Sequence, residues 1–314
     1  MERTAFGPSG MQVSRLCLGT WNMCGQAGWG PDSDEASIEL IRRAVADGCN
    51  FIDSARGYGN GHSETVLGEA VKDCRNEVIL ASKMVHCPPG KVAGNIDKSL
   101  ECMQTDYIDL YICHWPSPSL SLDEFFAAMV EERDKGRIRA IGVSNFNAAQ
   151  MAVALKYDAC SLQPPLSILW RIPDDTMQFC RNEDVAITPY SPLAQGLLTG
   201  RYSRGEAAVT GVRKSNLLFD GEVYEKSLEV ARAVDSVADK LGCLSSQVAL
   251  AWLLRTPGIT SVIVGASSVE QWEQDVGALD VEISDEDYEV LDRKGKAVWD
   301  LLGPDETMWG WKPK

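Results

Sequence analysis

FIDSARGYGNGHSE, residues 51–64, is a short apolar run that ends in polar residues and turns through glycines towards a helix. Phe51 and Ile52 close a run that begins after the helix-stopping Gly48, which makes a buried strand, and Ser63-Glu64 opens the helix. Asp53 stands at the carboxyl end of that strand and Tyr58 in the loop behind it. Gly57-x-Gly59 in a strand-to-helix turn has the context of a dinucleotide fingerprint. The third glycine of that pattern would fall at position 62, where the chain has His62. The pattern is incomplete, which argues for a plain βα unit over a Rossmann turn. Taken alone, Asp53 would serve as a helix-entry cap.

Two later apolar runs end in the same way. Ile79-Leu80-Ala81-Ser82 leads into Lys83, and YIDLYIC, residues 107–113, leads into His114. A carboxylate, a phenol, an amine and an imidazole therefore all fall at strand ends. Together they are what a proton-transfer site needs.

Outward from this stretch, strand and helix alternate. Met1–Val13, with Gly7-Pro8 and Ser9-Gly10, reads as a small hairpin ahead of the main fold. Strands start near Leu16, Asn50, Val78, Tyr107, Ile138, Cys160 and Val185, and helical stretches such as Asp34–Asp47 separate them. Such alternation implies parallel strands with helical crossovers. The rhythm then breaks, and the next strand begins only at Thr260. Between lie a long loop, Ser191–Asp220, and helices over Glu222–Leu241 and Ser245–Leu254. Eight parallel strands with one enlarged connection predict a (β/α)8 TIM barrel, with a long loop and extra helix after the seventh strand, in one domain over residues 1–314. A doubly wound open sheet is the alternative, but Leu16–Thr20 lacks the glycine fingerprint expected in its first turn. In a barrel the four polar strand-end residues share the catalytic face, and the oversized loop lies over it.

Composition narrows the partners. The chain has 314 residues, 45% hydrophobic and 24% charged, as in a soluble globular protein. A net charge of -15 argues against nucleic acid and against an anionic membrane surface. There is no apolar run of membrane-spanning length and MERTAFGPSG is no signal peptide, so a cytoplasmic location is expected. The ten cysteines include no C-x-x-C pair and sit in apolar runs, as buried free thiols of a reducing compartment do.

GTWNM (19–23), FIDSARGYGNGHSE, ASK (81–83), DYIDLYICHWP (106–116), GRIRAIGVSNF (136–146), PYSPLAQGLLTGRY (189–202) and VIVGASSVEQWEQD (262–275) follow one another in order. Together they resemble the aldo-keto reductase family through most of the chain. The resemblance implies an oxidoreductase that reduces aldehydes or ketones with a nicotinamide cofactor, and Asp53, Tyr58, Lys83 and His114 match its catalytic tetrad. Chemistry supports those roles. Hydride addition to a carbonyl leaves an alkoxide that needs a proton, and a phenol with a pKa of about 10 gives one up poorly at neutral pH. A lysine beside it would lower that pKa, an aspartate would hold the lysine charged, and His114 could donate to the carbonyl oxygen.

The resemblance also implies the cofactor contacts. Gly19, Thr20, Trp21 and Asp53 would contact the cofactor, Ser144, Asn145 and Gln163 would bind the carboxamide of its nicotinamide, and Tyr190 would stack on that ring. The run Ser191–Arg201, with Pro192, Leu193, Gln195, Gly196 and Leu198, would cradle the pyrophosphate through backbone N–H groups. Val264, Gly265, Ala266, Ser267 and Ser268 would take the adenosine phosphate at the start of the last helix, and Gln271, Gln274 and Asp275 the adenine side.

Two departures bear on cofactor choice. Many members have arginine where this chain has Ser267, and asparagine where it has Asp275, and both changes remove attraction for a 2′-phosphate. Arg201, Arg204, Arg213 and Lys214 could compensate, or could simply solvate the loop. NADPH is expected over NADH, with NAD possible. Trp21, Met23, Trp29, Met84, Trp115, Trp309 and Trp311 could line an apolar mouth for a small carbonyl substrate. Two other functions suit the same barrel: a slow-turnover, nicotinamide-binding redox-sensing subunit, and a lyase with Lys83 as a Schiff-base amine.

Overall fold

The structure is a computed structural model that describes residues 1–25, 30–303 and 307–309. A hairpin of β1 (Arg3–Ala5) and β2 (Gln12–Ser14) precedes eight parallel strands. These are β3 (Leu16–Gly19), β4 (Phe51–Asp53), β5 (Ile79–Met84), β6 (Ile108–Cys113), β7 (Ile138–Ser144), β8 (Ala159–Gln163), β9 (Ala186–Ile187) and β10 (Val262–Val264). They pair in chain order, with β10 beside β3. Thr260 N donates to Ile187 O at 2.9 Å and Ile263 N to Pro189 O at 2.9 Å, which closes β9 on β10. The ring is a TIM barrel, as the alternation predicts.

Strands buried on both faces must be apolar throughout, and β6 (IDLYIC) is buried at every position. The inward set includes Cys17, Phe51, Ala81, Leu110, Ile112 and Ile263. The hairpin stoppers its amino-terminal end, where Phe6 meets Phe51 edge to face at 5.4 Å. Gly7 (φ +49) permits this closure, since a Cβ there would lie 2.7 Å from Asp184 O. At the same end Asp109 on β6 binds Arg75 at 2.8 Å and Arg139 at 3.0 Å, and both guanidiniums lie over the Tyr107 ring.

The outer layer comprises α1 (Asp34–Ala46), α2 (His62–Val71), α3 (Val92–Met103), α4 (Leu122–Asp134), α5 (Ala148–Ala154), α6 (Asp174–Asn182), α7 (Gly221–Leu241), α8 (Ser245–Arg255), α9 (Val269–Val276) and α10 (Asp285–Leu302). Their starts follow ordinary capping chemistry: Ser33 accepts from Ala36 N, Ser268 from Gln271 N, and Asn147 with Gln150 forms a capping box. The helix that Gly265–Ser268 opens is not the last, because α10 follows it. That helix escapes a periodicity reading because Gly295 occupies a buried position between Leu291 and Val298. The long connection is not plain loop either. Short 3₁₀ turns run over Gly211–Ser215 and Leu217–Phe219, and Ala194–Thr199 is a tight turn kinked at Gln195 and Gly196. All ten cysteines are free, six of them buried. Among the described residues no helix is long and apolar enough to cross a membrane.

Candidate active site

At the carboxyl end of the barrel β4, β5 and the residue after β6 bring Asp53, Lys83 and His114 together, and the turn after β4 returns Tyr58 to them. Lys83 is fully buried, one residue short of the end of β5. An ammonium has three N–H donors. Here one goes to Asp53 Oδ2 at 2.6 Å, one to the Ser54 carbonyl at 2.7 Å and one to the Tyr58 hydroxyl oxygen at 3.3 Å. Because Lys83 donates to that oxygen, the phenol's own proton stays available. Beneath the pair, Thr20, Ser54 and Ser63 form a buried hydroxyl network, with Thr20 Oγ1 2.6 Å from Ser63 Oγ and 3.1 Å from Asp53 O.

Electrostatics follow from this enclosure. Burial disfavours the Lys83 cation, but Asp53 and Tyr58 outweigh it and hold the ammonium above its ordinary pKa. For Tyr58 the balance differs from the sequence expectation. Burial pushes the phenol up, Lys83 pulls it down only in part, and the net shift is upward. Burial and then Lys83 push His114 down to about 3, so its imidazole is neutral at ordinary pH and carries one N–H. Its ring meets that of Tyr58 edge to face at 6.0 Å.

A cleft of about 1200 Å³ runs from this group across the barrel mouth. Gly19, Trp21, Asp53, Asn145, Gln163, Tyr190, Ser191, Pro192, Leu193, Gln195, Gly196, Arg201, Val264, Gly265, Ser267, Gln271, Gln274 and Asp275 all line it. Thr20, Ser144, Leu198, Ala266 and Ser268 do not. Thr20 supports Asp53 from behind, and Ser144 Oγ is spent on Gln163 O at 2.7 Å. The Asn145 amide is engaged within the protein: Oδ1 accepts from Tyr190 OH at 2.8 Å, and Nδ2 donates to His114 O at 3.0 Å. Gln163 Nε2 donates to Asp53 Oδ1 at 2.9 Å. Asp53 is thus tied on one oxygen by Lys83 and on the other by Gln163.

The donor set suits an extended dinucleotide. Ser191, Ala194, Gln195 and Gly196 all have positive φ, and Asn145 at the end of β7 has φ +62. Left-handed backbone at non-glycine residues is strained and concentrates at ligand sites. Arg213 Nε donates to Gln195 O at 2.8 Å, which fixes a guanidinium beside this curved segment. Of the four basic loop residues, Arg201 and Arg213 line the cleft, whereas Arg204 and Lys214 do not. At the far end Ser267 N donates to the Gln271 side chain at 2.8 Å. Asp275 is buried, which pushes its carboxyl up to about 7 against the pull of Ser246.

Every described tryptophan expected at the mouth beside Tyr58 is found there. Trp21 (6.4 Å from the Tyr58 ring), Trp115 and Trp309 line it, and Trp309 meets Trp21 at 5.8 Å. Met23 and Met84 are buried core residues instead. Trp29 and Trp311 lie outside the described residues. Sequence reasoning missed Asn22, Glu206, Leu244 and Ser246 as lining residues. Asn22 adjoins the quoted Trp21, so its motif was a usable signal, but nothing in the sequence marks the start of α8 as part of the cleft.

The profile of the Aldo/keto reductase family matches residues 15–296. The aldo-keto reductase YhdN of Bacillus subtilis is 34% identical over 293 residues, covering 87% of each chain. An NADH-specific methylglyoxal reductase of Escherichia coli is 30% identical, covering 95% of this chain and 99% of its own. A solved aldo/keto reductase of Klebsiella pneumoniae in complex with NADP and acetate superposes with a TM-score of 0.76 at 28% identity, covering 93% of this chain and 95% of that one.

Proposed function

The chain belongs to the aldo/keto reductase family, and from that premise we propose that it reduces an aldehyde or ketone to an alcohol with Tyr58 as proton donor. A reduced nicotinamide cofactor, when bound, supplies the hydride. The observation that carries the reading is the use of all three Lys83 N–H groups on Asp53, Ser54 and Tyr58. It leaves the Tyr58 proton for a carbonyl oxygen in the cleft, and the adjoining positive charge stabilises the phenolate left behind. Neutral His114 supplies a second N–H to the same oxygen. Trp21 and Trp309 narrow the mouth and exclude water around the reacting carbonyl.

NADPH is the proposed partner, with a modest margin over NADH. Arg201 and Arg213 in the cleft favour a phosphate, while the uncharged Ser267 offers it no cation. The lyase alternative is disfavoured because a Schiff base needs a free amine, and Lys83 is held protonated and fully hydrogen-bonded. A slow redox-sensing subunit would keep every one of these residues, so only turnover separates it.

The test is a panel of aldehydes and ketones followed by absorbance loss of the reduced cofactor. Sustained turnover is expected. Tyr58→Phe should lower it by about a hundred- to ten-thousandfold and leave cofactor binding intact. A variant that keeps more than half the wild-type rate would remove Tyr58 from the role. One cofactor equivalent oxidised and no steady state would favour the sensor.

A further inference from the structure

Glu64 on α2 is completely buried and takes no direct part in the proposed proton transfer. Its Oε1 accepts from Ser82 Oγ at 2.6 Å. Strand alternation explains the contact, because Lys83 points into the barrel while its neighbour Ser82 points out to the helices. Its Oε2 has no hydrogen-bond donor among the described residues and lies 3.7 Å from Arg56 Nη1, which also lacks a hydrogen bond. Arg56 stands two residues before Tyr58, and its backbone N donates to Lys83 O at 3.1 Å. Its guanidinium fills the space beside Gly61, where a Cβ would overlap it.

The turn that carries Tyr58 is closed by Tyr58 N donating to Ala55 O at 3.0 Å. Gly59, Asn60 and Gly61 take left-handed conformations (φ +59, +55 and +95). The Arg56 backbone already meets the strand of Lys83, and its side chain adds a second tie through Glu64. We infer that Arg56, Glu64 and Ser82 form a buried latch that ties the Tyr58 turn to the strand of Lys83 and so sets the distance between phenol and ammonium. Glu64 and Arg56 are then positioning residues. The inference rests on the reading of Tyr58 as donor only for its effect on turnover, because the effect on the phenol itself can be read without catalysis.

Arg56→Met removes the guanidinium from a partly exposed position, and Ser82→Ala releases the opposite oxygen. In either variant Tyr58 moves away from Lys83, and its pKa rises further because the stabilising cation is more distant. Ultraviolet difference titration of the phenolate, with Tyr58→Phe protein as blank, reads this directly. The expected result is a titration moved to higher pH. The kcat falls by about ten- to a hundredfold, as for a reacting group displaced by about 1 Å, with cofactor Kd unchanged. Arg56→Lys should recover part of both. A titration identical to wild type in folded, cofactor-binding Arg56→Met and Ser82→Ala proteins overturns the latch. A shifted titration with unchanged kcat keeps the latch and overturns the role of Tyr58. Equal loss in cofactor affinity and stability without a titration shift would mark the three residues as packing alone.

Discussion

Lys83 is the residue on which the site turns, because it is the shared partner of Asp53 and Tyr58. Removing its charge takes away the interaction that partly offsets the burial of the phenol. In Lys83→Met the Tyr58 pKa should therefore rise above its already raised wild-type position. Alcohol oxidation needs the phenolate as acceptor, so its pH–rate profile should move to higher pH, and the rate at neutral pH should drop. An unmoved profile in a folded variant would show that Lys83 does not govern Tyr58. His114 should contribute no limb to either profile near neutral pH, since its proton is gained only at about 3.

Elements divide the barrel into two ends with different work. Asp109 on β6 lies at the amino-terminal end, where contacts serve stability. Asp109→Ala would leave Arg75, which is mostly buried, without its carboxylate. Loss of one partner of a buried pair costs about 3–5 kcal/mol, so chemical denaturation should report that loss while KM stays unchanged. A KM that moves with stability would mean that the two ends are coupled. On α9 at the other end, Asp275 has a folded pKa of about 7 against an ordinary 3.8. A carboxyl raised in this way stabilises the fold fully below 3.8, and that stability is lost as pH rises through about 7. Asp275→Asn cannot ionise, so its Tm should gain on the wild type between those two pH values. Parallel Tm curves across the range would deny the raised pKa.

Across the whole molecule, charge opposes the proposed cofactor. A chain of net charge -15 repels phosphates at long range, so affinity for NADPH must come from local donors along the cleft. Among the described residues that line the cleft the arginines are Arg201 and Arg213, and Ser267 carries no charge. A charge-assisted hydrogen bond contributes about 1.5–3 kcal/mol, or roughly ten- to a hundredfold in affinity. Ser267→Arg should tighten NADPH by that factor and leave NADH alone, as measured by fluorescence quenching. Equal gains for both would show that position 267 does not face the 2′-phosphate. Tighter NADH than NADPH in the wild type would reverse the proposed preference.

The barrel and the meeting of Asp53, Tyr58, Lys83 and His114 were legible in the sequence for one reason. Apolar runs separated by helices impose parallel strands, and parallel strands bring all their carboxyl ends to one face. Anything that depends on closing the ring was not legible. Gln163 reaches Asp53 from 110 residues away, and the start of α8 joins the cleft only through the long connection. Nor could the sequence tell that burial would outweigh Lys83 at Tyr58, or that Arg56 and Glu64 would meet behind it. Desolvation and enclosure belong to the assembled protein, because they are set by how many neighbours exclude water from a group and not by which residues flank it in the chain.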